Sequence, residues 1–190
     1  MISRRLALGA GGLTLLLAAC QTPAPPRVIP EDGTIDILTL LRSKPEHSRF
    51  VNALVVSGQT SRLGRANGAV TLFAPTNEAL AGLPAPLLAV LDNPPANPSA
   101  EQRAAAAQLV NANAAWNLLR LNEIQARRGQ VNTWDRGRVL VTPTGPRTAN
   151  VVRDGAPVQP NRGAVAITRA DVLASDGIFH ITNAPILPGA

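Results

Sequence analysis

Few residues in this 190-residue chain have side chains suited to chemistry: one Cys, two His, and 12 Asp and Glu. One thiol forms neither a disulfide framework nor a thiolate metal cage. Two imidazoles, His47 and His180, leave little for a histidine-based metal site. Covalent catalysis needs a Ser, Cys or Thr, a base within hydrogen-bond reach, and a group orienting that base. His180 is the one plausible base, with Asp171 close by across a hairpin, but no particular serine completes the set and no G-x-S-x-G turn occurs. H-E-x-x-H and calcium-loop spacings are likewise missing. The acidic run Glu31-Asp32-Gly33-Thr34-Ile35-Asp36 reads as helix capping by Asp32 or Thr34. The expectation is therefore no catalytic residue, no metal and no cofactor: a binding module rather than an enzyme.

Arginine carries most of the positive charge, with 17 Arg against one Lys. Between positions 120 and 138 lie Arg120, Arg127, Arg128, Arg136 and Arg138, against Glu123 and Asp135. Arg127, Arg128, Arg136 and Arg138 form a candidate anion patch, since the guanidinium fork suits phosphate and carboxylate. The alternative is solvated arginines in a chain that uses Arg for Lys. Neither reading extends to nucleic acid: aromatic residues make up only 3% of the chain and none interleaves the arginines in an RNA-binding pattern.

The lone cysteine has a specific context. Residues 1–20 read MISRRLALGAGGLTLLLAAC, with Arg4 and Arg5 ahead of an apolar stretch and small residues at the end. That is a signal peptide pattern, and its core falls short of the roughly 20 residues a spanning helix needs. Leu17-Ala18-Ala19-Cys20 matches a bacterial lipobox, in which the thiolate of Cys20 takes the lipid. By resemblance to enteric lipoproteins, Gln21 after it, rather than Asp, favours the outer membrane. Removing residues 1–19 takes two arginines away, so the formal charge falls from +6 to +4. The prolines at 23, 25, 26 and 30 make residues 20–30 an extended tether, and residues 31–189 are expected to be one domain. A chain with 45% hydrophobic residues can build its own core over that length.

The elements that position these residues follow from periodicity. Residues 34–58 suggest two helices broken at Ser43-Lys44-Pro45, with His47 exposed and uninvolved in the first turn of the second. Residues 69–74 form a short apolar strand ended by Pro75, then a helix capped by Thr76. A short helix is expected over 87–91 and a long one over 100–122, placing Leu109, Ala112, Trp116 and Leu119 on one face. Strands follow at 130–134, 138–142, 148–153, 164–173 and 178–186, the last two joined through Ser175-Asp176-Gly177. Along the last strand His180 shares a face with Ile178 and Thr182, opposite Phe179 and Ile181. It reads as a partly buried ring bonded to backbone, or else as a functional histidine. Helices first and strands later give an α+β class.

Two stretches resemble the signatures of the fasciclin domain, an extracellular adhesion module. They are Val70-Thr71-Leu72-Phe73-Ala74-Pro75-Thr76-Asn77-Glu78-Ala79-Leu80 and Ala170-Asp171-Val172-Leu173-Ala174-Ser175-Asp176-Gly177-Ile178-Phe179-His180-Ile181, the latter followed by Leu187-Pro188. The resemblance implies a single domain whose N-terminal and central helices pack on a C-terminal antiparallel β wedge or sandwich. It also implies that Asp171 and Val172, matching an Asp-Ile pair used for integrin contact in animal members, are a candidate partner surface together with His180. One departure is visible: Leu121-Asn122 stands where many members carry Tyr-His. The expected function is a lipid-anchored envelope module for adhesion, binding a protein or polysaccharide. The competing reading is a periplasmic small-ligand or glycan-processing protein with a cleft near His180.

Overall fold

The computed structural model describes residues 29–154 and 165–187. Cys20, the expected signal peptide at 1–19 and all but the end of the expected tether lie outside the described residues.

Helix α1 (Ile37–Arg42) starts at Asp36, whose carboxylate accepts from Thr39 N at 2.8 Å. Asp36 therefore does the capping expected of Asp32 or Thr34, while Asp32 folds back onto Thr34. Pro45 opens a single 3-10 turn that runs into α2 (Ser48–Val56), and Gly58 follows in the left-handed conformation. Strand β1 (Val70–Pro75) is buried along its whole length. After it the chain makes one turn, not a helix: Leu80 N bonds Thr76 O, and Thr76 Oγ1 accepts from Ala79 N. Asn77 does not open a helix of its own. Its Oδ1 accepts from Arg49 N, so the side chain caps α2 from 28 residues away.

Helices α3 (Ala85–Asp92) and α4 (Ala100–Ala112) follow, α4 opened by a Ser99–Gln102 capping box. The long helix expected over 100–122 is in fact three elements: α4, strand β2 (Ala114–Trp116) and helix α5 (Leu121–Ala126). The break is Asn113, whose buried side chain bonds Leu109 O, Ile186 O and Ile186 N. Strands β3 (Gln130–Asn132), β4 (Arg138–Gly145), β5 (Thr148–Arg153), β6 (Val165–Ala174) and β7 (Gly177–Thr182) complete the chain.

The seven strands among the described residues form one sheet in the order β2-β1-β7-β6-β5-β4-β3. The wedge or sandwich expectation is corrected here, because the sheet is mixed: β1 runs parallel to β7, in the register Val70↔Gly177 to Pro75↔Thr182. The sheet also curls until its two edges meet, through an antiparallel bridge between Ala115 and Thr133 and a bond from Trp134 N to Ala114 O. Among the described residues this near-barrel has two large cores, and a small third cluster joins Val56, Val90 and Ala106. Alternate residues of β1 point to opposite sides, so Leu72 and Ala74 join Phe179 and the helices, whereas Phe73 joins the sheet interior with Ile124, Val141 and Val151. His47 lies on the helix side of the β1–β7 pair and His180 on the other.

Candidate functional site

His180 is fully buried in β7. Its Nε2–H donates to Leu119 O at 3.0 Å, and its Nδ1 accepts from Asp171 N at 3.2 Å. Asp171 sits where the register of β6 shifts, with φ at 62°, a left-handed backbone that a bulge can impose on Asp. Its Oδ1 accepts from Leu121 N at 3.0 Å and lies 3.8 Å from His180 Nδ1. Thr71 Oγ1 adds bonds to Asn117 O and Leu119 N. The structure thus brings His180 and Asp171 together, as the hairpin suggested, but on the backbone of residues 117–121. Both ring nitrogens are engaged, so the imidazole can take a substrate proton only by giving up its own packing.

His47 corrects a second expectation, for its ring is fully buried rather than exposed. Nδ1–H donates to Pro75 O at 3.1 Å, Nε2 is buried without a partner, and the ring meets Phe179 edge-on at 6.2 Å. Burial lowers the pKa of both histidines. For His47 it outweighs the Pro75 bond, and for His180 it outweighs Asp171 and the Leu119 bond. A histidine with a depressed folded pKa contributes stability that is fully present above its ordinary value of about 6.5, and is lost as pH falls below it. The two rings act in the same direction, so stability should fall as pH drops below about 6.5. Urea denaturation between pH 7.5 and 5 should show that decline. His180→Gln should remove one proton from the slope, and a flat profile would refute the pairing.

Of the three candidate contact residues, only Asp171 reaches the surface, with 27% of its side chain exposed. Val172 and His180 are buried, Val172 against the helix-side core and His180 beneath Leu119. Neither ring nor isopropyl group can touch a partner in this fold, which corrects the expectation for both.

The arginines stand differently. Arg127 and Arg128 follow α5, Arg136 lies in the β3–β4 turn and Arg138 begins β4, all exposed. The two acids between them are committed elsewhere. Glu123 Oε2 accepts from Arg120 N at 2.7 Å, and Asp135 takes bonds from Thr133 Oγ1, Gly137 N and Arg153. Burial would raise the pKa of Asp135, but those three donors outweigh it and hold the carboxyl below its ordinary value. Asn132, Arg136, Arg138 and Asp154 line an open depression of about 460 Å³. Next to it Leu140 and Val152, paired across β4 and β5, point into solvent, which the strand pattern alone did not flag.

The described fold and both signatures can now be set against known proteins. The fasciclin domain family matches residues 45–188. This chain belongs to the fasciclin domain family. Among solved structures it is similar to a FAS1 domain pair from the insect cell adhesion molecule fasciclin I, with a TM-score of 0.59 and 17% identity. The match covers 82% of this chain and 52% of that one, so this chain spans about half the length of the insect pair. At that identity the likeness shows a shared fold. No protein of curated function matches the chain.

Fasciclin domains are generally adhesion-related, non-catalytic modules. The signatures of this fasciclin domain have a structural reading throughout. The first supplies a strand buried on both faces, the Thr71 clamp and the Asn77 cap; the second supplies the parallel partner and the His180–Asp171 pair. Where many members carry Tyr-His, this fasciclin domain has Leu121, buried at the start of α5 with its N–H on Asp171, and the exposed Asn122.

Proposed function

We propose that this fasciclin domain is the non-catalytic binding module of a lipid-anchored envelope protein, recruited through Cys20 to the outer membrane. It binds an envelope protein or polysaccharide through its surface. The carrying observation is the contrast between the histidines and the arginines. Both imidazoles are spent inside the fold, whereas Arg127, Arg128, Arg136 and Arg138 face solvent, with Glu123 and Asp135 engaged elsewhere. The Leu-Ala-Ala-Cys motif and the proline-rich tether support the anchor. The competing reading, a ligand cleft near His180, finds no support in a ring with no exposed surface.

Cross-linking capture on intact envelopes tests the arginine face. Replacing the four arginines by Gln in a Cys20→Ser chain should lower retention about tenfold in low salt, as expected for four exposed ion pairs of about 0.3–0.5 kcal/mol each. Retention equal to that of Cys20→Ser alone would remove the patch from the account.

A further inference from the structure

Only five residues of the chain are Phe, Trp or Tyr, and its two tryptophans stand against each other. Trp116 ends β2 and Trp134 follows β3, at the seam where the sheet closes on itself. Their ring centroids are 4.9 Å apart with the planes at 36°. The Arg62 guanidinium lies over both, 4.0 Å from the Trp134 ring centre and 5.1 Å from that of Trp116. It is steered there by Asn111 Oδ1 at 3.2 Å and Gln59 Oε1 at 3.4 Å.

The two indoles have different accounts. Trp134 plugs the seam: it is 8% exposed and its backbone N–H bonds Ala114 O at 2.8 Å. Its indole N–H is buried without an acceptor, so stacking rather than hydrogen bonding holds the ring. Trp116 adds little to either core and is 43% exposed. Sealing the seam does not call for so large a ring in water. What the arrangement does provide is a flat aromatic face, made rigid by a second ring and a cation behind it.

We propose that Trp116, backed by Trp134 and Arg62, is a stacking platform for an acidic polysaccharide. The C–H face of a pyranose carries slight positive charge and matches the negative face of an indole. A tryptophan fixed by its neighbours loses little side-chain freedom on binding. The carboxylates of a uronate chain would pair with guanidinium groups. Arg136 is one, exposed in the turn two residues beyond Trp134. Asp135 between them is bonded to Thr133, Gly137 and Arg153, so its charge is already paired. This inference rests on the envelope-binding reading and names the polymer it would bind.

Intrinsic fluorescence tests it on the full chain, since both tryptophans lie at the site. Galacturonate oligomers should shift the emission, with affinity falling as salt is raised. Trp116→Ala should weaken them about tenfold, the worth of one stacked ring, while lowering the urea midpoint only by the modest loss of the ring pair, so the chain stays folded. Trp116→Phe should keep most of the affinity. Three results would overturn the proposal: no response to the uronate, equal binding of neutral cello-oligosaccharides, or equal binding of polyglutamate that survives Trp116→Ala. The envelope capture separates the two readings. Envelope retention of the Cys20→Ser chain that is undiminished by Trp116→Ala, with no uronate response even when Trp116 is present, removes this site and leaves the envelope reading. Uronate binding by a chain that envelopes do not retain does the reverse.

Discussion

Asn113→Ala is expected to destabilise the domain by about 3–5 kcal/mol, measured by urea denaturation at pH 7.5. Asn113 has no exposed surface. Its Nδ2 donates to Leu109 O and Ile186 O at 2.8 Å, and its Oδ1 accepts from Ile186 N at 2.9 Å. One side chain thus stops α4, turns the chain into β2 and pins the segment after β7. Truncation leaves three buried backbone groups short of a partner, at about 1–3 kcal/mol each before any relaxation. Against a typical total stability of about 5–15 kcal/mol, that threatens the fold. Asn113→Asp should be at least as damaging, because it turns a donor facing two carbonyls into an acceptor. Hydrogen exchange at the Ile186 amide should accelerate in both variants. A loss below about 1 kcal/mol would mean that water replaces the side chain, and that Asn113 is not what holds the end of the domain.

Gly177→Ala is expected to cost about 3 kcal/mol or more, or to prevent folding. A Cβ at this position would lie 2.4 Å from Val70 O and 3.1 Å from Val70 Cγ2. The nearer atom is backbone, in a strand buried on both faces, so the parallel β1–β7 pair itself would have to part. Gly177 is therefore present for close approach, and the hairpin loop proper is Ser175-Asp176, with Ala174 paired to Gly177. Asp176 is also more than a turn residue, since its Oδ1 accepts from Ile37 N at 2.8 Å at the start of α1. Gly58→Asn is the control: it keeps a left-handed φ of 70° with nothing near the new Cβ, and should cost under about 1 kcal/mol. Equal midpoints for the two variants would show that the strands yield easily at Val70.

What was legible in the sequence is what local chemistry decides. The alternation in β4 and β5, the strand ended by Pro75 and the helix break at Pro45 all have short-range causes. The helix through 100–122 failed because Leu109, Ala112, Trp116 and Leu119 keep helical spacing past the point where Asn113 finds partners 73 residues away. His47 looked exposed among Glu46, Ser48 and Arg49, yet a carbonyl 28 residues on draws it inside. The parallel pairing of β1 with β7 likewise has no local mark. Among the candidate site residues, type and neighbourhood were readable, as for His180 beside Asp171 and for the arginine cluster. Burial was not, because Leu119 and the helices that cover His180 and Val172 come from distant parts of the chain. The Arg62–Trp116–Trp134 cluster depended on sheet closure and was invisible for the same reason.

We propose a surface-binding fasciclin domain held at the envelope by Cys20. Cross-linking capture from intact envelopes, comparing the native chain with Cys20→Ser, tests it most directly. The account predicts that native protein sediments with the outer membrane and cross-links to an envelope protein or polysaccharide. Cys20→Ser should leave the membrane fraction yet give the same cross-linked product when added back to isolated envelopes. Membrane retention undiminished by Cys20→Ser would contradict the anchor, and the absence of any cross-linked product with either chain would contradict the binding role.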